Sequence, residues 1–289
     1  MNDERPAATL LKSSNIGIVG VGLIGGSIAA ALKKRGFNGR IIGIGRNSVR
    51  LQDAQTAGLV DEFTTDLTDA AAKCDLIIFC TPVDRIAYGV ITAAAKSSPG
   101  TLITDAGSVK GSICRELDGR LPGGVTFIGS HPLAGSEKNG FEHADADLFV
   151  GRTCVVTPDI ATPPEQLERL TRFWETLGMI VVSMTAEDHD AALARTSHLP
   201  HVVAAALAAT LSPENDELAA TGFADTTRIA SGDPELWTAI LLANADAVSN
   251  SLSEYTQQLD EFRAAIVNRD ADVLKNLLEE AKRKRDDLD

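Results

Sequence analysis

The chain has 289 residues, 44% of them hydrophobic, which is enough for one large domain or two ordinary ones and excludes wholesale disorder. Lys and Arg total 27 against 40 Asp and Glu, a formal net charge of −13. That much negative charge repels phosphate backbones and anionic lipid surfaces, so nucleic-acid and membrane partners are not expected.

In chain order, residues 1–13 read as a loose tail. The stretch IGIVGVGLIGGSIAAAL, Ile16 to Leu32, is nearly all apolar, like a signal peptide or membrane helix, yet it holds five glycines that weaken any helix. Its front half alternates small and β-branched residues, and Asp3 and Glu4 offset Arg5 and Lys12 ahead of it. It reads as strand, turn and helix of a soluble, cytoplasmic protein.

Strands are predicted at Ile16–Val19, Arg40–Ile44, Leu76–Cys80, Thr101–Thr104 and Thr126–Ile128, with helices between them such as Ser27–Lys34 and Ser48–Ala57. Short apolar strands alternating with helices imply a parallel sheet covered on both faces. Two more strands, Cys154–Thr157 and Ile180–Met184, flank a helix around Pro164–Leu177 whose first turn suits Pro163 and Pro164. From about Glu187 strand signals fade and helical periodicity takes over. Leu252, Tyr255, Leu259 and Phe262 recur three or four apart, as on a buried helix face. The charged end, EEAKRKRDDLD, reads as a solvated helix end. The expected division is 14–185, α/β, and 186–289, all-α.

Gly20-Val21-Gly22-Leu23-Ile24-Gly25 is GxGxxG directly after a strand and opening a helix, the context a dinucleotide site requires. Gly20 permits the tight turn, Gly22 lets the backbone approach a pyrophosphate, and Gly25 lets helix and sheet pack closely. Leu23 and Ile24 complete the loop, and Thr81 and Pro82, after the Leu76–Cys80 strand, are taken to border the cofactor. About 20 residues on, where NAD sites often carry a ribose-binding carboxylate, the chain reads Gly43-Ile44-Gly45-Arg46-Asn47. Gly45 removes a charge that would repel a 2′-phosphate, and Arg46 can meet that phosphate with Asn47 and Ser48 as neutral donors. NADP is favoured over NAD, with Arg46 as a plain solvated loop residue the alternative.

The four cysteines, Cys74, Cys80, Cys114 and Cys154, show no CxxC spacing and read as buried small hydrophobes in a reducing compartment; no metal site is expected. Three segments draw attention for chemistry. GSHPLAGSE places His131 at a strand end in a Gly/Ser-rich loop, DAGSVK places Ser108 at the preceding strand's end, and HLPH places His198 and His201 early in the helical half. Ligands of open α/β sheets bind outside the carboxyl ends of the strands, which puts Ser108 and His131 at the mouth. A histidine with pKa near ~6.5 can take a proton from a hydroxyl at neutral pH. By position alone, His131 is as well read as a structural strand-end histidine, and His143 as a surface residue.

The runs SHPLAGSEKNGFEHADADLFVGRTCVVTP, DAGSVK, DHDAALARTSHLPH and GFADTTRIASGDPELW together resemble the prephenate and arogenate dehydrogenases of tyrosine biosynthesis, from about Ile16 past Trp237. The resemblance implies a Rossmann-type doubly wound sheet followed by an all-α dimerisation domain, an arrangement like that of 6-phosphogluconate dehydrogenase. It implies oxidative decarboxylation of prephenate, arogenate or both, with hydride passing to NAD(P). By the same resemblance His131 is the base on the C4 hydroxyl and Ser108 its hydrogen-bonding companion. Arg228 is the partner of a substrate carboxylate, its planar fork suiting bidentate binding. His201, His198, Ser136 and Glu137 border the substrate side chain, Asp225 and His189 stand behind them or at a subunit contact, and Trp237 approaches the site from a partner subunit or belongs to the core. A homodimer through the helical half is expected, since Val202–Leu211 is too apolar to face water. No chorismate mutase segment or regulatory C-terminal domain is expected. The competing readings are a β-hydroxyacid-type dehydrogenase, which would carry a catalytic lysine early in the helical half, and a silent dinucleotide sensor.

Overall fold

The computed structural model describes residues 14–288 except 136 and 137. The expected tail and the expected site residues Ser136 and Glu137 therefore lie outside the described residues. The first half runs β1 (Asn15–Val19), α1 (Leu23–Lys34), β2 (Arg40–Ile44), α2 (Ser48–Thr56), β3 (Glu62–Thr64), α3 (Leu67–Ala71), β4 (Leu76–Phe79), α4 (Val83–Ala94), β5 (Leu102–Asp105), α5 (Gly111–Leu117) and β6 (Thr126–Phe127). It continues through β7 (Gly129–Pro132), β8 (Thr153–Thr157), α6 (Pro164–Thr176) and β9 (Ile180–Ser183). Six parallel strands pair in the order β3-β2-β1-β4-β5-β6, the doubly wound Rossmann arrangement. A second sheet, β7-β8-β9, sets β7 antiparallel to β8 and β8 parallel to β9.

The unbroken apolar runs have a direct cause. Along β4, Leu76 and Ile78 join the core layer on one face of the sheet, while Ile77 and Phe79 join the layer on the other. With a side-chain period of two and both faces buried, every position has to be apolar. One layer closes against α6 through fully buried Phe173 and Trp174, with edge-to-face rings 5.1 Å apart. Such a pair adds roughly 0.5–1.5 kcal/mol beyond area burial.

Two expectations need correction. His131 is not at the end of the Thr126–Ile128 strand; it lies inside β7, opposite Val155 of β8. The chain leaves the parallel sheet at Ile128 because the next residues pair with β8, and Ser130 is tied back to β5 by its backbone and hydroxyl. Helix α1 also begins at Leu23, four residues before the expected Ser27. Gly25 and Gly26 lower local helix propensity, but close packing on the strand and on the 141–144 turn holds them helical.

The second half is helical: α7 (Ala186–Leu193), a π-helical turn (Ala194–His198), α8 (Leu199–Ala209), α9 (Thr221–Thr227), α10 (Pro234–Ala243), α11 (Ala245–Asn268) and α12 (Ala271–Asp286). Among the described residues none of its helices is long and apolar enough to cross a membrane. The face of Leu252, Tyr255, Leu259 and Phe262 is not buried within the chain, Leu259 being 48% exposed. Val248, Ser251 and Ala265 are the buried residues of α11. Periodicity reports that a face seeks cover and says nothing about which chain supplies it.

Candidate active site

The strand order reverses between β1 and β4, the switch point beyond whose strand ends open α/β sheets bind their ligands. Gly20 turns the chain with φ +94°, and a methyl at this position would press to 2.7 Å from the Cys80 carbonyl oxygen. At Gly25 a methyl would come within 2.2 Å of the Gly20 oxygen, so only glycine lets α1 start this close to β1. Gly22 faces open space, and no side chain caps α1. The free N–H groups of that first turn and the positive end of the helix dipole are what a pyrophosphate binds. Across the switch point, the hydroxyl of Thr81 is buried without a partner among the described residues, and Pro82 stands at the head of α4. An open glycine cradle beside an orphaned hydroxyl fits a dinucleotide.

At the far end of β2, Arg46 and Asn47 are exposed. The Asn47 side chain caps α2, its oxygen accepting the Arg50 N–H at 3.1 Å. A Cβ at Gly45 would meet only Leu51, at 3.6 Å or more, so packing does not exclude a larger residue there. Arg46 has no ion-pair partner among the described residues. Arg50 is engaged with Glu142 at 3.0 Å.

His131 sits half-buried on β7. Its Nδ1 is 2.9 Å from His189 Nε2, and His189 Nδ1 is 2.8 Å from Asp190 Oδ1. Burial first, then the neighbouring His189 ring and the Lys110 ammonium, hold the His131 pKa well below the usual imidazole range, so the ring is neutral at pH 7. Burial alone would raise the Asp190 pKa, but hydrogen bonds from His189 and from the N–H groups of Lys110 and Gly111 outweigh it and keep the carboxylate ionised. Asn244 donates from Nδ2 to the Asp190 carbonyl at 2.8 Å and lies 3.1 Å from His198 Nδ1. His198 is buried, which pulls its pKa down to about 4, and its Nε2 has no partner among the described residues. His201 stacks on Trp237 at 3.6 Å, with its buried Nδ1 also unpartnered among the described residues. Buried polar atoms left unpaired are rare and mark where a ligand or water completes a site.

Beneath His131 lies a fully buried ion pair, Lys110 with Asp105. Lys110 Nζ also donates to the Ser130 carbonyl at 2.9 Å, and Asp105 accepts the backbone N–H groups of Gly107 and Ser130. The pair thus holds both backbone groups of the residue preceding His131. The loop beyond β7 returns toward the cofactor crevice, where a Cβ at Gly135 would lie 3.9 Å from Ile24 Cδ1.

The structure therefore joins His131, His189 and, through Asn244, His198. His201 and Trp237 form a second cluster beside it, edge-to-face with His198 at 6.3 Å between the ring centres of His198 and Trp237. Ser108 is half-buried and makes no hydrogen bond to His131; the imidazole's partner is His189. Arg228 is exposed on a short turn, Arg228–Ser231, that packs on α8, the helix carrying His201. Asp225 and His143 are exposed. Asp190 and Asn244 escaped sequence reading; the one signal was the adjacent His-Asp pair at 189–190. All four cysteines are free thiols, with burial pushing Cys74 up to about 12 and Cys114 to about 11.

Two family models match the chain, "Prephenate dehydrogenase, nucleotide-binding domain" over residues 28–183 and "Prephenate dehydrogenase, dimerization domain" over 185–280. The chain is 35% identical over 280 residues to a cyclohexadienyl dehydrogenase of Zymomonas mobilis, covering 94% of each. It is similar to the crystal structure of prephenate dehydrogenase from Aquifex aeolicus in complex with hydroxyphenyl propionate and NAD+, with a TM-score of 0.90, 35% identity, and coverage of 96% of this chain and 99% of that one. Against the Synechocystis arogenate dehydrogenase structure the TM-score is 0.81 at 36% identity, covering 95% and 100%.

Proposed function

Because the chain belongs to the prephenate dehydrogenase family, we propose that it catalyses the oxidative decarboxylation of prephenate to 4-hydroxyphenylpyruvate in tyrosine biosynthesis. The observation that carries this reading is the neutral, half-buried imidazole of His131, on the strand whose following loop returns to the head of the cofactor helix. A nicotinamide dinucleotide bound at the glycine cradle supplies the hydride acceptor. His131 takes the proton of the C4 hydroxyl as hydride leaves that carbon and the ring carboxylate departs as CO₂. Aromatisation drives the step, so the protein's work is positioning and charge management. Ser108, beside the strand end, is proposed to hold the same hydroxyl.

Substrate choice and cofactor choice are finer matters. Arg228, whose charge has no acidic partner among the described residues, is proposed to bind a substrate carboxylate, with His198, His201, Trp237, Ser136 and Glu137 around the side chain. Arg228→Ala should then raise the substrate KM at least about tenfold while changing kcat less, because it removes uniform binding. Steady-state kinetics with prephenate check this, and an unchanged KM would remove Arg228 from the site.

NADP is proposed over NAD, supported by the exposed Arg46 and by room at Gly45 left empty of a carboxylate. Arg46→Asp should shift the ratio of NADP to NAD affinity toward NAD by about tenfold, roughly one charge-assisted contact. Titration of cofactor fluorescence reads that ratio, and a constant ratio would overturn the assignment.

A homodimer in the cytoplasm completes the proposal. Its support is the helical half itself, where Ala204, Ile240, Val248 and Ala265 are buried beyond residue 199 while Leu242, Ile266, Val267 and Leu278 are exposed. The deciding test is a four-way assay of prephenate or arogenate with NAD or NADP. Turnover of prephenate is the expected result. Arogenate as the sole substrate would correct the substrate, and turnover of neither would sink the reading.

A further inference from the structure

We propose that His189 and Asp190 are positioning residues that fix His131 in its base form. The inference rests on the dehydrogenase reading above but begins from hydrogen-bond direction alone. An ionised carboxylate only accepts, so His189 Nδ1 carries the proton on its 2.8 Å contact with Asp190. A His189 ring that carries this one proton presents its other nitrogen, Nε2, as a bare lone pair. Facing it at 2.9 Å, His131 Nδ1 has to be the donor. That leaves His131 Nε2 without a proton and without a partner among the described residues. It is the one ring atom able to take a proton from a substrate hydroxyl.

Asp190 is itself fixed from three sides. Lys110 N and Gly111 N, at the start of α5, each donate to one of its carboxylate oxygens at 2.8 Å. Its carbonyl takes the Asn244 amide from the junction of α10 and α11. The carboxylate therefore cannot swing away, and the two histidine rings inherit its orientation. When His131 becomes an imidazolium, its Nδ1–H points down a hydrogen-bonded line that ends on a negative charge. The neutral base is thus aimed, and its charged form is stabilised without a carboxylate touching it.

The test compares His189→Asn with His189→Gln, two polar replacements of different reach. Asparagine can still meet Asp190 but stops short of His131. Glutamine brings an amide oxygen to the place of Nε2, where it can accept from His131. His189→Asn should lower kcat by about 100-fold, the low end of general-base catalysis, with substrate KM and cofactor Kd nearly unchanged. His189→Gln should recover about tenfold of that loss. An asparagine variant as fast as wild type, or a glutamine variant as slow as asparagine, overturns the proposal. Histidine-selective 15N NMR of the wild-type protein at neutral pH gives a readout independent of substrate. His131 is expected with Nδ1 protonated and Nε2 bare, and the opposite tautomer would also overturn it. Wild-type protein that shows the expected tautomer but turns over neither substrate would count against the function and not against this assignment.

Discussion

His131→Asn is expected to lower kcat by ~10³-fold while leaving the cofactor Kd within about twofold of wild type. Asparagine keeps polarity and rough size at the position but has no basic nitrogen, so the substrate hydroxyl loses its proton acceptor. The glycine cradle, Thr81 and Arg46 belong to other strand ends and are not disturbed. Stopped-flow turnover and cofactor fluorescence titration separate the two effects; parallel loss of both would make His131 a structural residue. The wild-type pH profile offers a second reading. A base works only deprotonated, so activity falls as pH drops through its pKa. Since burial, His189, Lys110 and His198 all push the His131 pKa down, the activity plateau should extend below pH 6.5, the ordinary imidazole value.

Lys110→Met should give a large loss of stability, on the order of 3–5 kcal/mol, because it leaves the Asp105 carboxylate buried without its cation. Methionine has nearly the length of the lysine stem, so the cost comes from charge and not from a cavity. The Ser130 carbonyl also loses a donor. Adding Asp105→Asn to this variant should restore part of the stability, since the neutral amide keeps an acceptor oxygen for the Gly107 or Ser130 N–H. Urea unfolding at fixed protein concentration measures both steps. A single variant within about 1 kcal/mol of wild type would mean that solvent reaches the pair. Activity should suffer with stability, because this pair grips the residue that precedes His131.

The helical half shows the limit of reading one chain. Its apolar periodicity is plain from Leu252 to Phe262, and the structure leaves that face open. Burial is a property of the assembly, whereas periodicity is a property of the segment. The prephenate and arogenate likeness, drawn from motifs spread along the chain, proved sound at the level of family and fold. It named His131, His198, His201 and Arg228 without saying which of them touch.

What the sequence by itself determined are the features set within a few residues. Apolar runs with turn residues between them gave the alternation of strand and helix, and GxGxxG after a strand gave the cofactor crevice. Each depends on local backbone freedom and side-chain period, which a short window contains. Only the tertiary structure decided the polar contacts: His131 with His189, 58 residues apart, Asp190 with the head of α5, and Asn244 with His198. It also moved His131 from a strand end to the middle of β7. Such contacts depend on strand order and on how α7 docks against α5, and no local pattern encodes a hydrogen bond between segments brought together only by the fold.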